Sequence, residues 1–339
     1  MRMKVGVMGA SGYAGVELLR LCAAHPELEV AVATAGGSAG TAVAAHTPSL
    51  AAAYPSMVYS PSDPGVVDGL DLVFCALPHG ESQRLVPQLA DQVGAVVDLA
   101  ADFRLKDPSL YPEWYGAEHA APHLLDAFAY GLPELFRQEL TGARLVAAPG
   151  CYPTAAALAL TPLVRAGAVE PGGILVDAVS GVSGAGRALS DRLHFGQVDE
   201  DFTAYGLLNH RHTPEIEQAV GAEVLFTPHL APMTRGILAT CYARPTGELV
   251  NGDALGCLRD AYADEPFVVV VEGSPSTKAT TGSNCAHVTA VVDQRTGWLV
   301  AICALDNLVK GAAGQAVQCA NLVLGLPEPT GLPVTGLYP

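Results

Sequence analysis

Charged residues are scarce in this chain of 339 residues: Asp, Glu, Lys and Arg together make up 15% of it, whereas hydrophobic residues make up 50%. This composition excludes a disordered chain, and the length suits about two domains with sizeable cores. No apolar run reaches the roughly 18 residues that a membrane-spanning helix needs. The N-terminus enters a strand-like run directly, without the apolar core of a signal peptide. We therefore expect a cytoplasmic protein with no membrane partner.

Paired cysteines are missing as well. Eight cysteines are scattered along the chain, none of them in a CxxC pair. No cysteine–histidine cluster has the spacing of a zinc site. We therefore expect no disulfide framework and no metal site, and most of the cysteines are interpreted as core thiols of a reducing compartment.

Positive charge is the third scarcity. The net charge is −16, and only four lysines accompany fourteen arginines. Such an acidic chain is a poor partner for nucleic acid or for an anionic membrane surface. Anionic small molecules must be held by local groups, for which the planar, bidentate guanidinium of arginine is well suited.

The hydrophobic pattern changes near residue 150. Before that point short apolar runs alternate with helix-like stretches, which predicts parallel βαβ units. After it, strand-like runs follow one another with few helices between them, which predicts a mixed or antiparallel sheet. The predicted strands are 4–8, 29–33, 70–77, 95–99, 174–180, 222–229, 236–243, 267–271, 287–293 and 299–305, and a helix is predicted over 311–324. The fold class is therefore α/β.

A glycine triad, Gly9, Gly12 and Gly15, follows the first predicted strand and opens a helix. Glycines at such a turn permit close backbone approach, and a pyrophosphate rests on the helix N-terminus. We therefore predict a dinucleotide-binding loop, which also contains Ser11 and Tyr13. The alternative is a glycine-rich turn without a ligand.

The second predicted strand runs out into Thr34 and the segment 35–40, which contains no acidic residue. An NAD enzyme usually carries Asp or Glu there to bind the ribose. The absence leaves room for a 2′-phosphate and favours NADP(H). No arginine is present either, so Thr34, Ser38 and backbone amides are the predicted contacts.

Cys151 lies between an apolar run and a small-residue segment, in a pattern typical of strand, tight turn and helix. A helix start offers backbone N–H groups and the positive end of a dipole, and both stabilise a thiolate. Gly150 allows a ligand to approach closely, and Pro153 suits a first helical turn. Cys151 is therefore a candidate nucleophile, and a buried structural thiol is the alternative.

His210, Arg211 and His212 stand just before a predicted helix that has Thr213 as its cap. Either histidine is a candidate acid–base partner for a thiol, and the sequence does not distinguish them. The alternative is that the histidines are surface groups, while Thr213 and Glu215 simply cap the helix.

The run 180–187 follows a predicted strand and is too rich in glycine to be ordinary core. It is able to wrap a ligand with amides and hydroxyls, with Arg187 for an anion. A plain flexible loop is the alternative. Arg104 and Arg235, each at a strand end, are further candidates for binding an anion, although single arginines are usually solvated.

Together these segments resemble the N-acetyl-gamma-glutamyl-phosphate reductase family, the NADP-dependent reductases of arginine biosynthesis. The matching segments run in family order over nearly the whole chain. They are 9–15 (GASGYAG), 76–80 (ALPHG), 101–105 (ADFRL), 130–134 (YGLPE), 149–154 (PGCYPT), 180–187 (SGVSGAGR), 210–216 (HRHTPEI) and 306–311 (DNLVKG). The PGCYPT and HRH runs are the specific ones. Relatives often carry an arginine after the second strand, whereas this chain has Ala35-Gly36-Gly37.

The resemblance implies a Rossmann-like NADP-binding domain over 1–150 and 310–339. It implies an α/β catalytic and dimerisation domain with a mixed sheet over 151–309, as in aspartate-semialdehyde dehydrogenases, and a homodimer or homotetramer. The implied cofactor contacts in the matching segments are Pro78, His79, Ser183, Gly184 and Asn307. The implied substrate contacts are Arg104, Arg187, Arg211 and Arg235.

The implied reaction is the reduction of an acyl phosphate, a small-molecule substrate, to an aldehyde. Cys151 would displace phosphate to form a thioester, NADPH would supply a hydride, and His210 or His212 would return a proton. A lysine-pathway reductase acting on an aminoadipyl phosphate held by an acidic carrier protein is an alternative, although a net charge of −16 disfavours such docking. Aspartate-semialdehyde dehydrogenase and a non-catalytic dinucleotide sensor are the remaining alternative functions.

Overall fold

The structure, a computed structural model, describes residues 2–247, 249 and 251–338. The chain forms two compact units. The first ends at Pro149 and takes in Ala312–Leu332, whereas the second runs over Gly150–Gly311 and resumes at Pro333. Each unit is built on its own β-sheet.

Six strands form the sheet of the first unit. They are β1 Met3–Met8, β2 Leu28–Ala33, β3 Leu72–Cys75, β4 Ala95–Asp98, β5 Phe128–Tyr130 and β6 Leu145–Ala147. Neighbouring strands all pair in parallel, in the order β2-β1-β3-β4-β6-β5. Every residue of β3 and β4 is buried, as expected for a parallel sheet covered on both faces. The strand order reverses between β1 and β3, and α/β sheets bind ligands outside the carboxyl ends of their strands at such a point.

The helices of this part of the chain are α1 Tyr13–Ala24, α2 Val43–His46, α3 Ser82–Leu89, α4 Leu110–Tyr115 and α5 Pro133–Leu140. Short 3₁₀ turns occupy Pro48–Leu50, Pro64–Val67 and Pro122–Ala127. Helix α1 buries Leu18, Leu19 and Cys22 at helical spacing. This apolar face packs against β1 and β2, which orients the glycine loop that precedes the helix.

Seven strands form the sheet of the second unit. They are β7 Ile174–Gly181, β8 Thr203–Ala204, β9 Val224–Ala231, β10 Ile237–Ala243, β11 Val268–Val270, β12 Ala286–Asp293 and β13 Trp298–Leu305. Their order is β11-β12-β13-β10-β7-β9-β8. The β7–β9 and β11–β12 pairs are parallel and the others antiparallel, so the sheet is mixed.

The helices of the second unit are α6 Cys151–Arg165, α7 Phe195–Val198, α8 Thr213–Val220, α9 Asn251–Ala261 and α10 Thr277–Thr280, with 3₁₀ turns at Val182–Ala185 and Asp191–Leu193. Helix α6 is buried continuously from Tyr152 to Leu163. It packs against β10, β12 and β13 and against α8 and α9. Its many alanines allow this close approach, which leaves the thiol of Cys151 at the start of a rigid, buried helix.

A π-helical turn, Val309–Ala313, leads into the last helix, α11 Gly314–Val323. Helix α11 packs against α1, α5 and β4. Buried polar side chains fix it there: Gln315 Nε2 donates to the carbonyl of Gly131 at 2.9 Å, and Asn321 Oδ1 lies 3.0 Å from His25 Nε2.

The predicted α/β class, with one parallel and one mixed sheet, is confirmed, and every predicted strand is present. Strands β5 and β8 were not predicted, because segments of three and two residues carry no periodic signal. Few helices were expected in the second half of the chain, and α9 was not predicted. Glycine and aspartate interrupt its helical pattern. No helix among the described residues is long and apolar enough to cross a membrane.

Candidate active site

The second unit begins with the turn that carries Cys151, the first residue of α6. Gly150 precedes it in an extended conformation, with φ −69° and ψ 157°. The carbonyl of Gly150 accepts hydrogen bonds from the N–H and the hydroxyl of Thr154, at 2.9 and 2.8 Å. Cys151 is a partly exposed thiol, outside any disulfide, at a helix N-terminus, where the helix dipole favours an anion.

A buried carboxylate holds this turn. Glu215 Oε1 accepts the backbone N–H of Gly150 at 2.8 Å, and Glu215 is 0% exposed. Glu215 lies in the first turn of α8, directly after the histidine segment. The helix cap is His212, with Thr213 as the first helical residue, so the predicted cap is one residue too late. The role of Glu215 was missed, because nothing in the sequence pairs it with Gly150.

His210 and His212 lie together in the second unit, with ring centroids 4.9 Å apart. Both contact Tyr152, the residue after Cys151, at centroid distances of 5.8 and 6.0 Å. His212 is 9% exposed and His210 is partly buried, so neither is an exposed surface group. The structure therefore brings the two histidines against the first turn of α6, which begins at Cys151.

The environment of His210 sets its protonation. Burial, together with the neighbouring charge of Arg211, lowers the pKa of His210 to about 4. The backbone N–H of His212 donates to Nδ1 of His210 at 3.2 Å. A neutral ring that accepts at Nδ1 carries its proton on Nε2.

Two phenols complete this cluster, and sequence reasoning missed both. The hydroxyl of Tyr205 donates to that of Tyr152 at 3.2 Å, and Tyr152 donates to the carbonyl of His229 at 3.0 Å. Burial raises the pKa of both tyrosines. Both therefore stay protonated at neutral pH and hold the aromatic cluster rigid.

The π-helical turn packs against Cys151 at Gly311. A Cβ added to Gly311 would lie 2.7 Å from Cβ of Cys151, so only glycine fits at this position. The N–H of Gly311 donates to the carbonyl of Asp306 at 2.9 Å. π-Helical turns are rare and occur frequently at functional sites.

The predicted ligand loop after β7 is an ordered structure. Asn307 Nδ2 donates to Ser183 Oγ at 2.9 Å, and Asn307 Oδ1 accepts the N–H of Gly236 at 2.8 Å. A Cβ at Gly184 would lie 2.7 Å from Ser180 Oγ. Ser183 and Asn307, which were predicted to contact the cofactor, are therefore hydrogen-bonded to each other, and Gly184, predicted with them, packs closely against Ser180.

The four candidate arginines have different surroundings. Arg235 Nη1 lies 3.4 Å from Oδ2 of the buried Asp306, and its side chain remains 26% exposed. Arg187 and Arg211 are exposed in the same unit. Arg104 belongs to the first unit and is 7% exposed, and its Nε and Nη2 donate to the carbonyls of Ala148 and Leu99 at 2.9 and 2.7 Å. This part of the Arg104 guanidinium therefore braces the backbone.

In the first unit the glycine loop has the predicted strand–turn–helix form. Gly9 has φ +76°, a conformation that favours glycine. A Cβ at Gly15 would lie 2.6 Å from Cα of Ala10, so Gly15 permits close packing of α1 on the loop. Around Gly12 the nearest such neighbour is 3.6 Å away, so the backbone there remains accessible. Ser11 and Tyr13 flank Gly12 and are partly or well exposed.

The residues after β2 differ in how far their side chains are exposed. Thr34 is fully buried, and its hydroxyl lies 3.3 Å from that of Ser62. Its carbonyl accepts the N–H of Ala10 at 2.8 Å, which ties β2 to the glycine loop. Ser38 is partly exposed beside Gly36 and Gly37, around which there is open space.

The turn after β3 carries Pro78 and His79 and is held by Asp102. The Asp102 carboxylate contacts His79 Nδ1 and accepts the N–H groups of Gly80 at 2.9 Å and Gln83 at 3.0 Å. Burial by itself would raise the pKa of Asp102, but the bonds from His79 and the amides outweigh it and lower the pKa. Asp102 is therefore an ionised, buried anchor that the sequence showed only as part of the ADFRL segment.

Two family models match the chain. The semialdehyde dehydrogenase NAD binding domain matches residues 4–143, and the semialdehyde dehydrogenase dimerisation domain matches residues 151–307. N-acetyl-gamma-glutamyl-phosphate reductases from Symbiobacterium thermophilum and Acidothermus cellulolyticus are each 49% identical to this chain. The reductase from Saccharopolyspora erythraea is 48% identical, and each alignment covers 100% of both chains.

The chain belongs to the N-acetyl-gamma-glutamyl-phosphate reductase family. The family predicted from the sequence motifs is therefore confirmed, and so is the oxidoreductase class. The chain carries a nicotinamide-dinucleotide-binding domain and a dimerisation domain of the semialdehyde dehydrogenase type. The relatives named above are all N-acetyl-gamma-glutamyl-phosphate reductases, which supports this interpretation over the carrier-protein reductase and the sensor.

Solved structures place the reductase fold among semialdehyde dehydrogenases. Aspartate semialdehyde dehydrogenase II from Vibrio cholerae superposes with a TM-score of 0.71 at 16% identity, over 96% of this chain and 99% of that one. The Candida albicans enzyme with NADP gives a TM-score of 0.69 at 16% identity over the same shares. At this identity the likeness concerns the fold alone.

Proposed function

We propose that this chain catalyses the NADPH-dependent reduction of N-acetyl-gamma-glutamyl phosphate to the 5-semialdehyde, with release of phosphate. The observation that carries the proposal is the joint fixing of Cys151 and the histidine segment: Glu215 holds the turn before Cys151, and both histidines contact Tyr152. This arrangement suits covalent catalysis by a thiol with an adjacent proton carrier.

The glycine loop of the first unit fits a dinucleotide. Gly9 and Gly15 permit the tight turn, and the open surroundings of Gly12 leave its backbone accessible to a pyrophosphate at the start of α1. The proposed contacts come from Ser11, Tyr13, Ser38, Pro78 and His79, while the buried Thr34 would act by holding the glycine loop through its carbonyl, which accepts the N–H of Ala10. Ser183, Gly184 and Asn307 are the proposed contacts from the second unit. The lack of an acidic residue in 34–40 supports NADP(H) over NAD(H).

The chemistry begins at Cys151. Its thiolate attacks the acyl carbon, a C–S bond forms, the C–O bond to phosphate breaks, and inorganic phosphate leaves with the bonding electrons. NADPH, when bound, supplies the hydride that reduces the acyl group held on sulfur. Backbone N–H groups at the start of α6 are placed to stabilise the developing oxyanion, an effect worth about 3–4 kcal/mol per donor in other enzymes.

The two histidines have different proposed roles. His210 is neutral, accepts at Nδ1 and carries its proton on Nε2, so it is a hydrogen-bond donor to a substrate oxygen. This leaves His212 as the acid–base group that takes the thiol proton and returns it to sulfur when the aldehyde leaves. Arg104, Arg187, Arg211 and Arg235 are the proposed groups for the substrate's phosphate and carboxylate.

We assign NADP binding to residues 1–150 and 310–339, and catalysis and dimerisation to 151–309. Helices α6, α8 and α9 pack against the strands of the second sheet. Residues that alternate with its buried ones are partly exposed, and Leu225, Val269 and Val291 are 50%, 41% and 38% exposed. An exposed apolar sheet face of this kind marks an association surface. We propose that a second copy covers it, giving a homodimer or a homotetramer.

The proposed compartment is the cytoplasm. None of the eight cysteines forms a disulfide, which suits a reducing environment.

The decisive experiment is the reverse reaction, in which N-acetylglutamate semialdehyde, NADP and phosphate are mixed with the protein and nicotinamide reduction is followed by absorbance. Turnover by the wild type, and its loss in Cys151→Ser, is the expected result. No turnover by a folded wild type would overturn the proposed reaction. Turnover by Cys151→Ser would remove this thiol from the mechanism.

A further inference from the structure

We propose that Asp102 is a positioning residue for dinucleotide binding, which holds His79 and its turn at the edge of the cofactor crevice so that Nε2 of His79 faces the ligand. The inference rests on the proposed function, because it concerns the site that binds NADPH. It adds a role for a buried acid that does not itself reach the cofactor.

Asp102 contacts the chain after β3 through its carboxylate. Its carboxylate is 0% exposed and contacts Nδ1 of His79. It also accepts the N–H groups of Gly80 and Gln83. One carboxylate thus fixes a side chain and two backbone amides, that of Gly80 in the turn and that of Gln83 at the start of α3. Burying an acid costs desolvation, which these contacts offset.

The turn that carries His79 lies next to the glycine loop. It follows β3, which lies beside β1 where the strand order reverses. A Cβ at Gly9 would lie 2.8 Å from the carbonyl carbon of Ala76, so the glycine loop packs directly against the chain that leads to His79. The turn therefore lies at the carboxyl end of β3, beside the proposed phosphate loop.

The contacts of the His79 imidazole determine which of its nitrogens is left for a ligand. The His79 side chain is 23% exposed, and its ring contacts that of Tyr115 with centroids 4.4 Å apart. The carboxylate of Asp102 lies against Nδ1 of His79, so Nε2 is the nitrogen left for a ligand. With its hydrogen on Nδ1, the ring would present Nε2 as an acceptor to a hydroxyl or amide donor of the dinucleotide.

Asp102→Asn tests this directly. The Asn oxygen is still able to accept from Gly80 and Gln83, while the Asn amide would donate to Nδ1 of His79. This moves the ring proton to Nε2 and turns the acceptor into a donor. We expect the Kd for NADPH, measured by fluorescence titration, to rise about tenfold, because one hydrogen bond is lost and a donor is misplaced. The KM for NADPH should rise with it, while the KM for the acyl substrate stays within about twofold.

Two further variants make the result interpretable. His79→Gln keeps the amide bonds of Asp102 and should weaken NADPH binding to a similar extent, and it serves as the test if Asp102→Asn does not fold. In the His79→Gln background, Asp102→Asn should add little, since both act through one ring. Asp68→Asn changes an exposed acid of the same unit and should leave NADPH binding unchanged.

The outcomes separate this inference from the proposed function. A wild type that does not bind NADPH overturns the proposed function. A wild type that binds NADPH while His79→Gln or a folded Asp102→Asn binds equally well overturns the role of Asp102 alone. Additive effects in the double variant, or parallel increases in both KM values, show a general structural role and also overturn it.

Discussion

The carboxylate of Glu215 accepts a hydrogen bond from the backbone N–H of Gly150 at 2.8 Å, and both groups are buried. The two residues are 65 positions apart in the chain. Gly150 precedes Cys151, and Glu215 follows His212 by three residues, so this bond fixes the proposed proton carrier relative to the proposed nucleophile. The geometry of the site therefore depends on a residue that carries no chemistry of its own.

Replacing Glu215 by Ala should impair both folding and catalysis. The N–H of Gly150 would stay buried without its acceptor, which costs about 1–3 kcal/mol of unfolding free energy. Because the turn then loses its orientation, kcat should fall while the Kd for NADPH does not change. Chemical denaturation and steady-state kinetics measure the two effects. Glu215→Gln is the matched control, since its amide oxygen is able to accept the same bond; a loss equal to that of Glu215→Ala would show that charge matters instead.

The sequence was sufficient to predict the longer strands, the glycine loop and the Cys151 turn, because each depends on local pattern: apolar runs, glycine spacing and a helix start. It was not sufficient for the contacts that complete the sites. Glu215 with Gly150, Asp102 with His79, and Gly311 with Cys151 each join segments far apart in the chain. No periodicity marks such pairs, since the sheet topology alone brings them together.

Alkylation should be selective among the eight cysteines, none of which forms a disulfide. Burial raises the pKa of Cys22 to about 12, and raises those of Cys75, Cys241 and Cys303 as well, whereas only Cys151 and Cys257 are partly exposed. Thiolates are the reactive species, so iodoacetamide should label these two positions first. Activity loss, followed with peptide mass mapping, should track Cys151. Cys257→Ala should be inactivated at the wild-type rate, and a slower rate would implicate Cys257 instead.

Acid should destabilise the second unit through His210. Its pKa of about 4 in the folded state lies below the ordinary 6.5, so the unfolded chain binds more protons between these values. Stability therefore rises with pH from 4 to 6.5, by about 3 kcal/mol at most. In urea denaturation across this range, the unfolding free energy of the wild type minus that of His210→Asn should rise with this slope. The difference should become constant above pH 6.5. A flat difference would show that the ring titrates normally.

Asp98 should have the opposite pH dependence. Burial, partly offset by a bond from Ser82, raises its pKa from 3.8 to about 7. The folded state thus holds the proton more tightly, and the stability that this provides below pH 3.8 is lost as the pH rises to 7. The unfolding free energy of the wild type minus that of Asp98→Asn should therefore fall over that pH range, measured by the same urea denaturation. A rising difference would indicate that Asp98 is ionised in the folded protein.

Two glycines of the first loop should respond differently to alanine. In Gly15→Ala the new Cβ meets Cα of Ala10 at 2.6 Å, so the thermal midpoint should fall. In Gly12→Ala the nearest neighbour is at 3.6 Å, so stability should be kept. The added methyl group would, however, occupy space needed by a pyrophosphate, and the Kd for NADPH should rise about tenfold or more. Unchanged NADPH binding by Gly12→Ala would move the proposed phosphate contact away from this loop.

Gly311 should be essential for the nucleophile although it contacts no substrate in the proposed mechanism. A Cβ at this position would lie 2.7 Å from Cβ of Cys151, so Gly311→Ala must displace either the thiol or the π-helical turn. We expect kcat to fall at least about a hundredfold, since small misplacements of reacting groups have effects of this size. Iodoacetamide labelling of Cys151 should change in parallel, which reports the thiol without turnover. Gly256→Ala in α9 is the control: nothing lies within 4 Å of its added Cβ, and helical Gly→Ala changes are usually stabilising. Wild-type kinetics in Gly311→Ala would show that the turn yields freely and does not position the thiol.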